Sequence, residues 1–173
     1  MTTQQGTTMD FEQRLQILED DRAIRDLKAR YLRAADGKDV EGMRDCFIVD
    51  AVIDFEGFPS FDARDPFIAI YTQMACVAGI FDIHHGANGI IKFDGDNNAS
   101  GQWSLLFHNI NLEARTLTQM GVEYEDSYVK GSDGSWRIAQ TRSRLTSALV
   151  HSVADDGRPI VSVMGAMTAN CGT

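Results

Sequence analysis

The sequence predicts an α+β fold, with three helices gathered at the front and a curved antiparallel sheet after them. Three observations carry this. Apolar residues recur at threes and fours before residue 80. Long strand-like runs follow from His84 onward, punctuated by turns such as Asp94-Gly95-Asp96-Asn97 and Gly131-Ser132-Asp133-Gly134. There is no internal repeat, no low-complexity tract and no second domain in the 173 residues. A curved sheet closed by helices makes a cone with an apolar interior, a natural cavity for a small molecule.

Residues 1–9 are polar and read as disordered. Phe11, Leu15, Leu18, Ile24, Leu27, Tyr31 and Leu32 mark the first helix, with the acidic run 19–21 as a possible break and the main helix over Asp20–Ala35. Gly37 suits the left-handed stop after it, and Asp39 suits the cap of a short helix over Val40–Cys46. Ala51–Phe55 reads as a strand closed by Gly57 and Pro59. Arg64-Asp65-Pro66 opens a third helix striped by Phe67, Ile70, Tyr71, Met74 and Val77 and ended by Gly79. Four strands are expected over His84–Phe93, Ala99–Leu112, Gly121–Lys130 and Trp136–Thr146. Pro159–Met164 is an edge strand or an arm, so the domain is set at 10–147, with 148–173 as a tail or oligomerisation arm.

The net charge of −9 argues against nucleic acid and anionic membrane as partners, and leaves a small-molecule substrate. The N-terminus has neither a basic start nor an apolar run, so no signal peptide is read, and no window approaches a membrane span. Three scattered cysteines, Cys46, Cys76 and Cys171, speak against a disulfide framework and for a reducing cytoplasm.

The chemistry centres on Ile83-His84-His85-Gly86-Ala87-Asn88-Gly89-Ile90-Ile91, which holds two of the four histidines. His84 and His85 are strand neighbours, so they face opposite ways and one alone can line the cavity. The His-x-x-x-Asn spacing to Asn88 favours His84, leaving His85 outside or at a subunit contact. Asp36 is a turn residue or an orienting acid; a carboxylate at a helix C-terminus opposes the macrodipole, which favours a task for it. His108 shares a face with Ser104 and Leu106, opposite Trp103, Leu105 and Phe107, and either face can be the inner one. Tyr31 is core or a phenol aimed at a substrate oxygen. Tyr124 and Tyr128 are pocket lining or sheet packing, and Arg142 and Arg144 are solvent-exposed or substrate-binding. No His-Glu-x-x-His, paired-cysteine, phosphate-loop or Gly-x-Ser-x-Gly pattern occurs, so no metal or cofactor is expected.

Ala23-Ile24-Arg25-Asp26-Leu27-Lys28-Ala29-Arg30-Tyr31, Asp36-Gly37-Lys38, the His84 strand, Gly101-Gln102-Trp103, Tyr124–Tyr128 and Asp133-Gly134-Ser135-Trp136 follow one another in an order that resembles the NTF2-like superfamily. Within it the chain resembles the SnoaL-like lyases, bile-acid 7α-dehydratase and, more distantly, scytalone dehydratase, over residues 15–147. The resemblance implies a cone-shaped fold and a dehydratase on a hydroxylated aromatic or polycyclic compound. It also implies Asp36 and His84 as its acid–base pair, Tyr31 as a pocket tyrosine, and His108 near a second histidine. Related proteins associate through the open sheet face, so a homo-oligomer, dimer or trimer, is expected. Ala35 and Phe55 stand where scytalone dehydratase has tyrosines, and Phe55, Tyr124, Tyr128 and Arg144 are the candidate substrate contacts. These departures leave open a retro-aldol type C–C lyase, a ketosteroid-type isomerase or a non-catalytic binding module.

Overall fold

The computed structural model describes residues 10–164; the expected disordered stretch 1–9, and 165–173 with Cys171, lie outside the described residues. Helix α1 runs unbroken over Phe11–Gly37, α2 over Val40–Asp45 and α3 over Arg64–Ala75. The strands are β1 (Phe47–Phe55), β2 (Ile80–Phe93), β3 (Asn98–Asn111), β4 (Thr116–Lys130), β5 (Trp136–Val153) and β6 (Pro159–Met164). The sheet order is β1-β5-β4-β3-β2, with β6 also on β5. It is open and mixed: β1 pairs with residues 138–143 of β5 in parallel, while β6 pairs with residues 148–153 antiparallel. The parallel pair corrects the all-antiparallel expectation. The intervening α3 and three strands carry the chain back to the sheet end where β1 began, which parallel pairing requires.

A capping box starts α1: Asp10 accepts from the Gln13 amide at 2.8 Å, and Gln13 Oε1 accepts from the Asp10 amide at 3.1 Å. The acidic run 19–21 does not break the helix. Asp20 is a buried acceptor, bonded by the Trp136 indole at 2.7 Å and by the Lys130 ammonium. Burial works against its charge, yet the bonds from Lys130, Trp136 and Gln16 together hold it below the ordinary carboxylate value. The left-handed residue closing α1 is Lys38, φ 57°, and not Gly37.

The inner face of α1 buries Ile24, Leu27, Tyr31, Leu32, Ala34 and Ala35 against the sheet. Aromatic edges fill the centre: Tyr31 on Phe47 at 5.3 Å, and Phe55 on Phe67 at 5.6 Å and on Tyr124 at 5.9 Å. β2 packs close beneath α1 and over β3, so that a side chain at Gly89 would collide with a ring and one at Gly86 would make the tip of Leu32 shift. A Cβ at Gly86 would lie 2.7 Å from Leu32, and one at Gly89 2.3 Å from the Trp103 ring. The boundary expected at 147 falls inside β5. No helix among the described residues is long and apolar enough to cross a membrane.

Candidate active site

Asp36 is the penultimate residue of α1, and its carboxylate meets β2. Its oxygens accept the backbone N–H of His84 at 3.0 and 3.1 Å, and Oδ1 lies 2.6 Å from His84 Nδ1. A carboxylate at this helix end has no help from the macrodipole, so donors from another element hold it. With Asp36 accepting, Nδ1 carries the proton, and in the neutral ring Nε2 carries the lone pair. Among the described residues Nε2 has no hydrogen-bond partner. The His84 and Asp36 side chains are 17% and 29% exposed, open enough for a ligand and dry enough to strengthen the contact. The ring leans on Phe107, its partner across the β2–β3 ladder, at 4.6 Å.

Two further contacts surround this pair. The Tyr71 hydroxyl of α3 donates to the Ala35 carbonyl at 2.8 Å, gripping the residue before Asp36. Burial above all, with Cys76, Asp82 and Asp36 nearby, pushes the Tyr71 phenol up. Lys38 pairs with Asp82 of β2, whose other oxygen accepts from Asn109 of β3 at 2.7 Å. Periodicity assigned Tyr71 to the packing stripe of α3, and nothing local marks Lys38.

The other candidate residues lie elsewhere. Tyr31 is 4% exposed and packs on Phe47, with Lys28 above its ring; Tyr124 and Phe55 are its neighbours in the aromatic centre. Tyr128 is committed to the fold, accepting from the Trp103 indole at 2.9 Å and donating to Asp126 at 2.7 Å. His108 corrects one expectation. Trp103, Leu105 and Phe107 face the helices, so His108 points the other way, paired with Ile83 and not with His84. Its Nε2 is buried without a hydrogen-bond partner among the described residues. Arg144 stands 60% exposed and bound to Glu123 at 2.5 Å. His85 is exposed as well. Asn88 does not join His84. A bulge between Ala87 and Ile90 and a left-handed φ of 54° turn it to Ser104.

The sequence reading missed a buried ion pair. Lys28 Nζ lies 2.8 Å from Asp126 Oδ2, the two side chains 2% and 0% exposed, and Asp126 also accepts from Thr141 at 2.7 Å. The ammonium sits 3.8 Å from the centre of the Tyr124 ring. Burial pushes Lys28 down, against the pull of Asp126. The signal was present: Lys28 adjoins Leu27 on the apolar stripe, and Asp126 alternates with Tyr124 and Tyr128 on one strand face.

Two grooves, about 240 and 650 Å³, are lined by Gln102, Glu125 and Arg142, and the larger also by Tyr124 and Arg144, two of the expected substrate contacts. Neither includes His84 or Asp36 among its lining residues.

The fold recurs in solved structures. A nominal scytalone dehydratase from Novosphingobium aromaticivorans shares 21% identity, covering 77% of this chain and 88% of its own, with a TM-score of 0.71. The hexachlorocyclohexane dehydrochlorinase LinA-type3 from Novosphingobium barchaimii shares 17%, covering 88% and 95%, with a TM-score of 0.69. ActVI-ORFA from Streptomyces coelicolor shares 15%, covering 72% and 95%, with a TM-score of 0.62. At these identities the likeness is one of fold. No curated protein matches the chain in sequence. Residues 16–142 match the sequence model of the SnoaL-like domain, and as that span takes in most of the chain, the protein belongs to the SnoaL-like family within the NTF2-like fold.

Proposed function

We propose that the protein is a lyase that removes water from a hydroxylated aromatic or polycyclic small molecule, using His84 and Asp36 and no cofactor. The observation that carries this is the 2.6 Å contact between Asp36 Oδ1 and His84 Nδ1, with Nε2 left over. Asp36 fixes the tautomer and stabilises the imidazolium. Nε2 takes the proton from the carbon next to the hydroxyl-bearing carbon. The C–H pair becomes the new C=C bond and the C–O bond breaks. The departing oxygen takes the proton back from the imidazolium and leaves as water, so the ring ends as it began. Phe107 gives the substrate an apolar wall beside the ring.

The roles first given to Tyr31 and His108 are not part of this reading, since one packs in the aromatic centre and the other faces away. Of the groups around the dyad, Asp82 is paired with Lys38 and Tyr71 spends its proton on Ala35. That favours chemistry in which one imidazole both takes and returns the proton. An isomerisation, with the proton returned to a second carbon, is therefore the second reading.

The test is a turnover screen over hydroxylated aromatic and steroid-like compounds, with His84→Ala and Asp36→Asn beside the wild type. Each variant loses about 10²–10⁴-fold in kcat while keeping its circular dichroism spectrum. Full turnover in either one rejects the dyad. Histidine titration by NMR separates enzyme from binding module: a His84 that titrates like a free imidazole supports the module.

A further inference from the structure

We propose that Lys38 is a positioning residue for this dyad: it neutralises Asp82 and clamps the end of α1 to β2, so that His84 answers to Asp36 alone. The proposal rests on the reading of His84 and Asp36 as the working pair. The first observation is backbone geometry. Lys38 holds φ 57°, ψ 29°, a left-handed conformation at a helix end where glycine is the natural residue. A lysine kept there against that cost calls for a use of its side chain.

The second observation is where that side chain goes. Lys38 Nζ reaches Asp82 Oδ2, and the Asp82 side chain is only 7% exposed. Asp82 and His84 are two apart on β2, so they project to the same face. The helix end and the strand are thus tied twice, in opposite senses. Asp36 on the helix accepts from His84 on the strand, and Lys38 after the helix donates to Asp82 on the strand.

The third observation is the charge around the imidazole. The end of α1 supplies Asp36, the turn supplies Lys38, β2 supplies Asp82, and α3 supplies Tyr71 with Cys76 beside it. β3 offers Phe107 and Asn109, neither of which titrates. Without Lys38, Asp82 would be a second, uncompensated carboxylate beside His84. An imidazole flanked by two such charges holds its proton too tightly to return it.

The experiment is ¹⁵N-histidine NMR of the full-length protein, titrated with pH, and it needs no substrate. The variants are Lys38→Gly, Lys38→Arg and Lys38→Gly/Asp82→Asn. Lys38→Gly relieves the left-handed backbone but leaves Asp82 without its counter-charge, so the titration of His84, not Tm, is the readout. Its His84 titration moves up by about one pH unit, the scale of one uncompensated carboxylate near an imidazolium of opposite charge. Lys38→Arg keeps the wild-type midpoint, and the double variant returns toward it. A Lys38→Gly protein whose His84 titrates as in the wild type overturns the proposal and leaves Lys38 as a turn residue. A shift that the double variant does not reverse overturns the role of Asp82. Failure of every compound in the turnover screen leaves these NMR outcomes unaffected, so the two readings fail separately.

Discussion

Replacing Lys28 with Met tests the buried ion pair most directly. The substitution keeps the length and apolar stem of the side chain and deletes the ammonium. Asp126 is then left with the Thr141 and Tyr128 hydroxyls but no counter-charge, at 0% exposure of its side chain. Removing one partner of a buried pair costs about 3–5 kcal/mol. The two surviving hydroxyl bonds and the Met packing place the cost near the lower figure. For a chain of this length each kcal/mol shifts Tm by about 2–4 °C, so a fall of about 6–12 °C is expected. The double variant Lys28→Met/Asp126→Asn recovers most of that loss, because an amide carries no charge and keeps both contacts, its oxygen accepting from one hydroxyl and its NH2 donating to the other. Thermal unfolding followed by circular dichroism, with urea midpoints as a second measure, reads both. A Lys28→Met protein melting within about 2 °C of the wild type would refute the reasoning, as would a double variant that loses the sum of the two single losses.

Four other outcomes are expected. The His84→Ala and Asp36→Asn losses in kcat come without a change in fold. Stability falls in acid: Asp20 and Asp133 both titrate below the ordinary 3.8, Asp133 at about 2, so their contribution is present above that value and disappears as pH drops through the lowered range. A Tm flat from pH 5 to pH 2 would contradict this. The protein assembles as a dimer or trimer through the outer sheet face, where Phe81, Ile83, Leu106 and Ile110 are 41–55% exposed; a monomer in sedimentation at micromolar concentration speaks against it. Turnover survives exhaustive chelation, with metal content measured on the same sample; loss restored by stoichiometric zinc, iron or manganese would remove the base role from His84.

What could be read from the sequence was what local pattern determines. The strands from His84 to Lys130 and the opening of α3 follow from turn residues and apolar spacing within a few positions. What could not be read depended on distant partners. The acidic run at 19–21 resembles a break until Trp136 and Lys130 supply donors to Asp20 from more than 100 residues away. The inward face of β3 rests on which residues meet the helices, so His108 had no local sign of facing out. Arg144 is explained by Glu123 across the ladder, a register that one strand alone does not encode. Glycine next to Lys38 drew the helix stop to Gly37, because propensity ranks glycine first and knows nothing of Asp82.

The position of the dyad follows from the sheet's edge. β2 is the last strand in the order, so one row of its backbone groups has no strand to pair with. Helix α1 lies along that row and satisfies it with side chains. Arg25 donates to the Gly89 carbonyl at 3.2 Å, and Asp36 accepts from the His84 N–H. Eleven residues of helix rise about 16.5 Å, and five residues of strand span about 16.5 Å, so the two anchors run in step with helix and strand antiparallel. The backbone bond to His84 is therefore part of closing the edge. It brings the Asp36 carboxylate within reach of Nδ1 on the same residue. A helix-end carboxylate, unsupported by the macrodipole, is there held by donors from β2 alone. The acid–base pair is thus built where the fold must in any case spend a polar side chain on an exposed strand. The Asp36 side chain serves the backbone of β2 and the imidazole of His84 with the same two oxygens.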